Sequence, residues 1–164
     1  MSMRIIITGG TFDKYYDEIR GELTFKETHL PSILRQARVT VPIVLEINQL
    51  IDSLQMTDAD RQRVLEASLR APEQQIVVIH GTDTMVETAR LLGEACPDKT
   101  IVLTGAMVPY SVIGSDALFN LGCGVMAVQL LPPGAYIAMN GRVFPWHSVR
   151  KNRERGFFED SGPH

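Results

Sequence analysis

Short β-branched apolar runs recur along this chain, each separated from the next by helix-length amphipathic stretches, and this alternation restricts the fold more than any other feature. Residues 4–7, 43–47, 75–79, 100–103 and 135–139 read as strands. Runs that are apolar at consecutive positions suit strands covered on both faces, as central strands of a parallel sheet are. Between them, Thr57-Asp58-Ala59-Asp60 offers a polar N-terminus for a helix reaching about residue 69. Thr84 and Glu87 have the spacing of a capping box, and the helix they open carries Met85, Ala89, Leu92 and Cys96 on one stripe. Ser115 caps a further helix through Leu118, Leu121 and Val125, which Pro132-Pro133-Gly134 ends. Residues 30–38 read as another helix and residues 21–25 as a small hairpin. Residues 142–160, basic and then acidic with aromatics, read as an edge element or a partner-facing arm.

Strand alternating with helix predicts an α/β fold: a single-domain open, mostly parallel sheet with helices on both faces. The domain spans residues 1–160, and residues 161–164 read as a flexible tail. A chain of 164 residues suits one domain with a sizeable core. The formal charge of −3 gives no basis for nucleic-acid binding, which favours a basic face. The apolar runs are too short to span a membrane, and Met1 to Gly10 enters a strand without a secretory pattern. Cys96 and Cys123 stand apart, forming neither a disulfide framework nor a metal motif. The expectation is a cytoplasmic setting, with no metal.

Ligands of such sheets bind beyond the carboxyl ends of the strands. Thr8-Gly9-Gly10-Thr11 follows the first strand, and Asp52-Ser53 comes after the second. His80-Gly81-Thr82-Asp83-Thr84 follows the third and Thr104-Gly105-Ala106-Met107 the fourth. Asn140-Gly141 follows the fifth, with Lys151 further along. A neutral hydroxyl attacks weakly and needs a base; a lysine held by an aspartate serves if burial lowers its pKa. Thr11, Thr82, Asp83 and Lys151 can supply that set. Flanking glycines let backbone N–H groups approach a reacting carbonyl. Each residue also has a plainer reading: Gly9-Gly10 as a tight turn, Thr11 as a loop hydroxyl, Asp83 as a helix-dipole charge. Lys151 reads equally as part of a solvated basic run, Ser53 as a turn residue and His80 as a satisfied core histidine.

Together these strings resemble the bacterial L-asparaginases of the type I/II asparaginase/glutaminase family. The resemblance rests on Thr8-Gly9-Gly10-Thr11, His80-Gly81-Thr82-Asp83-Thr84-Met85 and Gly105-Ala106-Met107. Asp52-Ser53-Leu54-Gln55-Met56 and Ser115-Asp116-Ala117-Leu118-Phe119-Asn120-Leu121 extend it. It implies a fold like that family's N-terminal domain, flavodoxin- or Rossmann-like, in a short form consisting of that domain only. It implies an amidohydrolase that converts L-asparagine to L-aspartate and ammonia through a threonine acyl-enzyme, without metal or organic cofactor. By the matching motifs Thr11 is the nucleophile, and Thr82, Asp83 and Lys151 form a second catalytic group. Ser53 holds the substrate α-carboxylate, Asp83 its α-ammonium, and the Ala106 carbonyl its side-chain amide. Gly10, Gly81 and the Thr82 backbone line the site, the last facing the oxyanion. Of the nearby tyrosines, Tyr16 rather than Tyr15 matches the short-form pattern Thr-Phe-Asp-Lys-x-Tyr. The missing second domain, which supplies an acidic group in longer members, implies a homo-oligomer. Phe144-Pro145-Trp146 and Phe157-Phe158 are candidate interface anchors. Glutamine or another small amide remains open as substrate, as does a sensor that binds asparagine or aspartate without turnover.

Overall fold

The computed structural model describes residues 1–162. Its central sheet has six strands: β1 (Met3–Gly9), β4 (Ile43–Ile51), β5 (Gln75–Ile79), β6 (Thr100–Thr104), β7 (Gly134–Met139) and β8 (Arg142–Pro145). They lie in the order β4-β1-β5-β6-β7-β8, all parallel except the antiparallel edge strand β8. The chain moves from β1 outward to β4 and then returns across to β5 on the other side of β1. The direction of winding therefore reverses between β1 and β5.

Alternation along each strand divides the core in two, because successive side chains leave opposite faces of a sheet. Ile6, Ile76, Val78, Ile101 and Leu103 face α2 (Asp58–Arg70) and α3 (Met85–Ala95). Ile5, Ile7, Val77, Ile79 and Val102 face α1 (Leu30–Gln36) and α4 (Ala117–Leu130). This is the open α/β sheet with helices on both faces that the sequence predicts. The α3 stripe of Met85, Ala89, Leu92 and Cys96 is buried as a unit.

The differences from expectation are local. β4 continues four residues past the apolar run because Asn48 and Gln49, polar in mid-strand, direct their amides to the Arg63 and Asp60 carbonyls of α2. The capping box belongs to Thr57 and Asp60, whereas Thr84 makes no side-chain cap. Its hydroxyl donates instead to the Ser53 carbonyl, 2.8 Å away. Residues 21–25, expected to form a small hairpin by themselves, supply only one strand of it, β3 (Glu22–Thr24), which pairs with β2 (Tyr15–Asp17).

The segment after β7 is an edge element. β8 completes the sheet, a 3-10 turn follows, and β9 (Val149–Asn152) pairs antiparallel with β10 (Phe157–Asp160). Its aromatics do not stand free as interface anchors. Phe144 and Phe158 are only 3% and 5% exposed, inside the core shared with α3. Trp146 lies so close to Gly93 of α3 that a β-carbon there would meet the indole at 2.4 Å. Phe157 alone of the set is exposed. Of the predicted tail, the Ser161 N–H donates to the Ser148 carbonyl, and Pro163 and His164 lie outside the described residues. No described helix is long and apolar enough to cross a membrane.

Candidate active site

Three backbone loops meet where the winding reverses. Gly10 leaves β1 with φ of 74°, and a β-carbon on it would lie 2.5 Å from both Cα and N of Gly81. A side chain there would be strained by conformation and blocked by space. Gly81 in turn presses on Ser53, whose Oγ would lie 2.6 Å from a β-carbon at 81. The Gly10 N–H donates to the Ile51 carbonyl at 2.9 Å, tying the loops after β1 and β4 together. Thr11, Ser53 and Thr82 are thus carried to one place by backbone contact.

Ser53 is buried and its hydroxyl accepts the Thr84 N–H at 3.2 Å, leaving the hydroxyl proton free to be donated elsewhere. The neighbouring Asp52 is bonded to Lys14 at 2.7 Å. Burial pushes the Asp52 carboxyl upward, but Lys14 and the Leu54 N–H outweigh it and hold the group below its ordinary value. The Thr11 hydroxyl, half-buried at the start of a 3-10 turn, makes no hydrogen bond among the described residues.

Lys151 reaches Thr82 and Asp83 from β9. Its Nζ donates to Thr82 Oγ1 and to Asp83 Oδ1, both at 2.8 Å, and its side chain is 9% exposed. The Thr82 hydroxyl has its own proton directed at the Met107 sulfur, 3.7 Å away. Arg153, two residues on, donates to the Asp83 carbonyl at 2.9 Å. The hairpin therefore grips the Thr82-Asp83 loop by side chain and backbone at once.

His80 orients the same loop from beneath. It is fully buried, and its Nδ1 lies 2.7 Å from the Gly81 carbonyl while Nε2 lies 2.7 Å from the Thr88 hydroxyl. A carbonyl only accepts, so Nδ1 carries the proton and Nε2 accepts from Thr88. Burial lowers the His80 pKa to about 4, against a smaller opposing effect of the Gly81 bond, so the ring is neutral at pH 7. In a trans peptide the carbonyl and the following N–H point in opposite directions. With the Gly81 carbonyl aimed at His80, the Thr82 N–H faces away from it.

Gly105-Ala106-Met107 closes the fourth side. Asp116 accepts the Met107 and Val108 N–H groups, each at 3.0 Å, and Asn120 donates to the Gly105 carbonyl at 2.9 Å. Burial pushes the Asp116 carboxyl up, and those N–H groups with Asn140 bring it below its ordinary value.

Of the residues singled out from sequence, Gly10, Ser53 and Gly81 are stacked together, and Thr82, Asp83 and Lys151 are bonded together. Thr11 adjoins the first set through Gly10. Tyr16 stands apart: it lies on β2 opposite Leu23 and is 60% exposed. Tyr15 stacks on His29 with ring centroids 4.0 Å apart. The roles of Asp116 and Arg153 were not legible, since nothing in a local pattern shows that an acidic residue before a helix folds back onto a distant loop. No group of three or more His, Cys, Asp or Glu among the described residues is placed to hold a metal ion.

A parallel sheet wound in this order, with hydroxyl, carboxylate and ammonium groups beside its switch point, defines an α/β protein of the doubly wound class that takes small ligands at strand ends. Residues 2–158 match the family model described as Asparaginase, N-terminal. The chain belongs to the asparaginase family. It is 36% identical over 133 residues to the human 60 kDa lysophospholipase, an alignment covering 78% of this chain and 23% of that protein. It is 27% identical to L-asparaginase 1 of Escherichia coli K12, covering 99% of this chain and 51% of that one. The thermostable L-asparaginase from Thermococcus kodakarensis superposes with a TM-score of 0.83 at 26% identity, over 98% of this chain and 51% of that chain. The chain thus spans about a quarter to a half of the length of these relatives.

Proposed function

We propose that this domain hydrolyses the side-chain amide of L-asparagine to L-aspartate and ammonia, with Thr11 as nucleophile. The observation that carries the reading is the Lys151–Thr82–Asp83 cluster, set beside the Gly10–Gly81 contact that brings Thr11 to the switch point. Thr11 Oγ adds to the amide carbon as its proton passes to a base, and the carbonyl oxygen becomes an oxyanion. The Thr82 N–H, turned away from His80, is the donor proposed to meet it. Collapse breaks the C–N bond, ammonia leaves with the transferred proton, and an ester remains on Thr11. Water, activated through Thr82 and Lys151, then cleaves the ester to aspartate and frees the threonine.

A zwitterionic substrate needs anchors of both kinds. Ser53 has a hydroxyl proton to give an α-carboxylate. Asp83 binds Lys151 through Oδ1, and its Oδ2 is the acceptor proposed for the α-ammonium. The Ala106 carbonyl is proposed to receive the side-chain amide. Tyr16, on the hairpin five residues after Thr11, is proposed to polarise the nucleophile when that hairpin moves inward. We further place the protein in the cytoplasm as a homo-oligomer, with no nucleic-acid or membrane partner. Both cysteines are free.

Ammonia release from L-asparagine and L-glutamine, wild type beside Thr11→Ala, tests the reading. Asparagine-selective release, lowered by at least a thousandfold in the variant, is expected. Comparable release from glutamine would make the activity a glutaminase, since one methylene is worth only about 1–3 kcal/mol in a pocket. Binding of asparagine or aspartate without release would make the protein a sensor.

A further inference from the structure

The loop that follows β6 is held by a polar network that the reaction itself does not use. Asp116 Oδ1 accepts from the Met107 and Val108 N–H groups, each at 3.0 Å. Its Oδ2 accepts from Met107 N–H at 3.1 Å, from Asn120 Nδ2 at 3.0 Å and from Asn140 Nδ2 at 3.1 Å. Asn120, fully buried, donates to the Gly105 carbonyl at 2.9 Å and accepts the Asn140 N–H at 3.0 Å. The network joins the ends of β6 and β7 to the first turn of α4.

Asp116 occupies the N-cap position of α4 but makes no capping bond. Ser115 does that instead, accepting the Ala117 N–H at 3.0 Å. The Asp116 carboxylate is therefore committed to the loop and not to its own helix. The Ala106 carbonyl and the Met107 N–H belong to one planar peptide unit and point in opposite directions. Aiming that N–H at Asp116 aims the Ala106 carbonyl away from it. Tethering the Gly105 carbonyl to Asn120 fixes the preceding peptide unit in the same way, so the carbonyl is bracketed from both sides.

From this geometry we infer that Asp116 and Asn120 are positioning residues that set the direction of the Ala106 carbonyl and thereby select an amide over an ester in the same site. The inference rests on the reading above that this carbonyl receives the substrate's amide N–H. An amide has an N–H to offer and a methyl ester of the same acid has none. A carbonyl turned out of place costs the first substrate a bond and leaves the second unaffected. General damage to the site would lower both together.

The test compares kcat/KM for L-asparagine and for L-aspartate β-methyl ester, a measure that reports acylation for both. In Asp116→Asn one acceptor oxygen is lost, and the NH2 that replaces it confronts donors in either orientation: the Met107 and Val108 N–H groups, or the Met107 N–H with the Asn120 and Asn140 amides. The amide rate is expected to fall at least tenfold relative to the ester rate, with the ester within about threefold of wild type. Asn120→Ala, which frees the Gly105 carbonyl, is expected to shift the ratio in the same direction and carries the test if Asp116→Asn does not fold. An equal fall for both substrates, or no change in either, overturns the proposal. If the wild type hydrolyses neither substrate, the functional reading falls, and hydrogen exchange at Met107 and Val108 decides the tether. Faster exchange in Asp116→Asn supports it, and unchanged exchange overturns it.

Discussion

His80 lies wholly inside the protein, yet its imidazole determines which way the Gly81–Thr82 peptide faces. The sequence places it after a buried strand, which suits a satisfied core histidine, and its two bonded nitrogens agree. What the sequence does not show is that one of those bonds goes to the adjacent carbonyl. The pH consequence has a definite sign. The unfolded ring takes up a proton near 6.5, and the folded ring only near about 4. Between those values the unfolded chain binds more protons, so stability falls as pH falls from 6.5 to about 4. That interval corresponds to roughly 3 kcal/mol. Asp52 and Asp116, held below the ordinary carboxylate value, lose their stabilising contribution at still lower pH. Urea unfolding midpoints measured from pH 7 to 4 are expected to drop in wild type and to flatten over the upper part of that range in His80→Asn. At Gly81 the prediction concerns space. A β-carbon would meet Ser53 Oγ at 2.6 Å, so Gly81→Ala must displace the proposed carboxylate anchor. Steady-state kinetics are expected to show KM raised more than kcat is lowered.

At the scale of elements, the hairpin of β9 and β10 is the part whose pairing the sequence shows least, and it carries the ammonium that meets Thr82 and Asp83. Its strands are too short and too charged to show a hydrophobic period, so Lys151 reads locally as one charge in a basic run. Pairing supplies the missing information. Lys151 stands opposite Phe158, whose ring is buried in the core, and Arg150 bonds Glu159 at 2.9 Å. The buried aromatic holds the hairpin and the hairpin delivers the ammonium. Phe158→Ala is expected to destabilise the fold by about 3 kcal/mol. It is also expected to lower kcat in the fraction that stays folded, read by activity and near-ultraviolet circular dichroism on the same sample. The five parallel strands and four helices were legible because apolar period and length mark them. β4 beyond residue 47 was not, and residues 142–160 showed only as an edge element, because the division of that segment into β8 and a hairpin has no apolar period to mark it. Among the candidate site residues, the motifs pointed to Thr11, Ser53, Thr82 and Asp83, while the contacts of Asp116 depend on a fold-back that no local pattern reveals.

At the scale of the molecule, two apolar clusters lie on opposite faces of one sheet and share its strands. Neither can dissolve without exposing the strands that support the other. A single unfolding transition is expected, with coincident far- and near-ultraviolet curves. The same sheet assembles the candidate site, since the reversal of winding between β1 and β5 brings the loops after both strands into contact. Aromatics of the C-terminal segment were expected to join chains, yet Phe144, Trp146 and Phe158 pack within the chain. Of those candidate anchors only Phe157 stays exposed to meet a partner chain, and sedimentation of the purified chain measures whether the proposed oligomer forms. The central claim is that Thr11 at this switch point attacks the substrate. The most direct measurement is covalent trapping with a diazoketone analogue of L-asparagine, followed by peptide mapping of the adduct. One label per chain on Thr11, absent in Thr11→Ala, is the predicted result; label on Thr82, or none at all, would contradict the account.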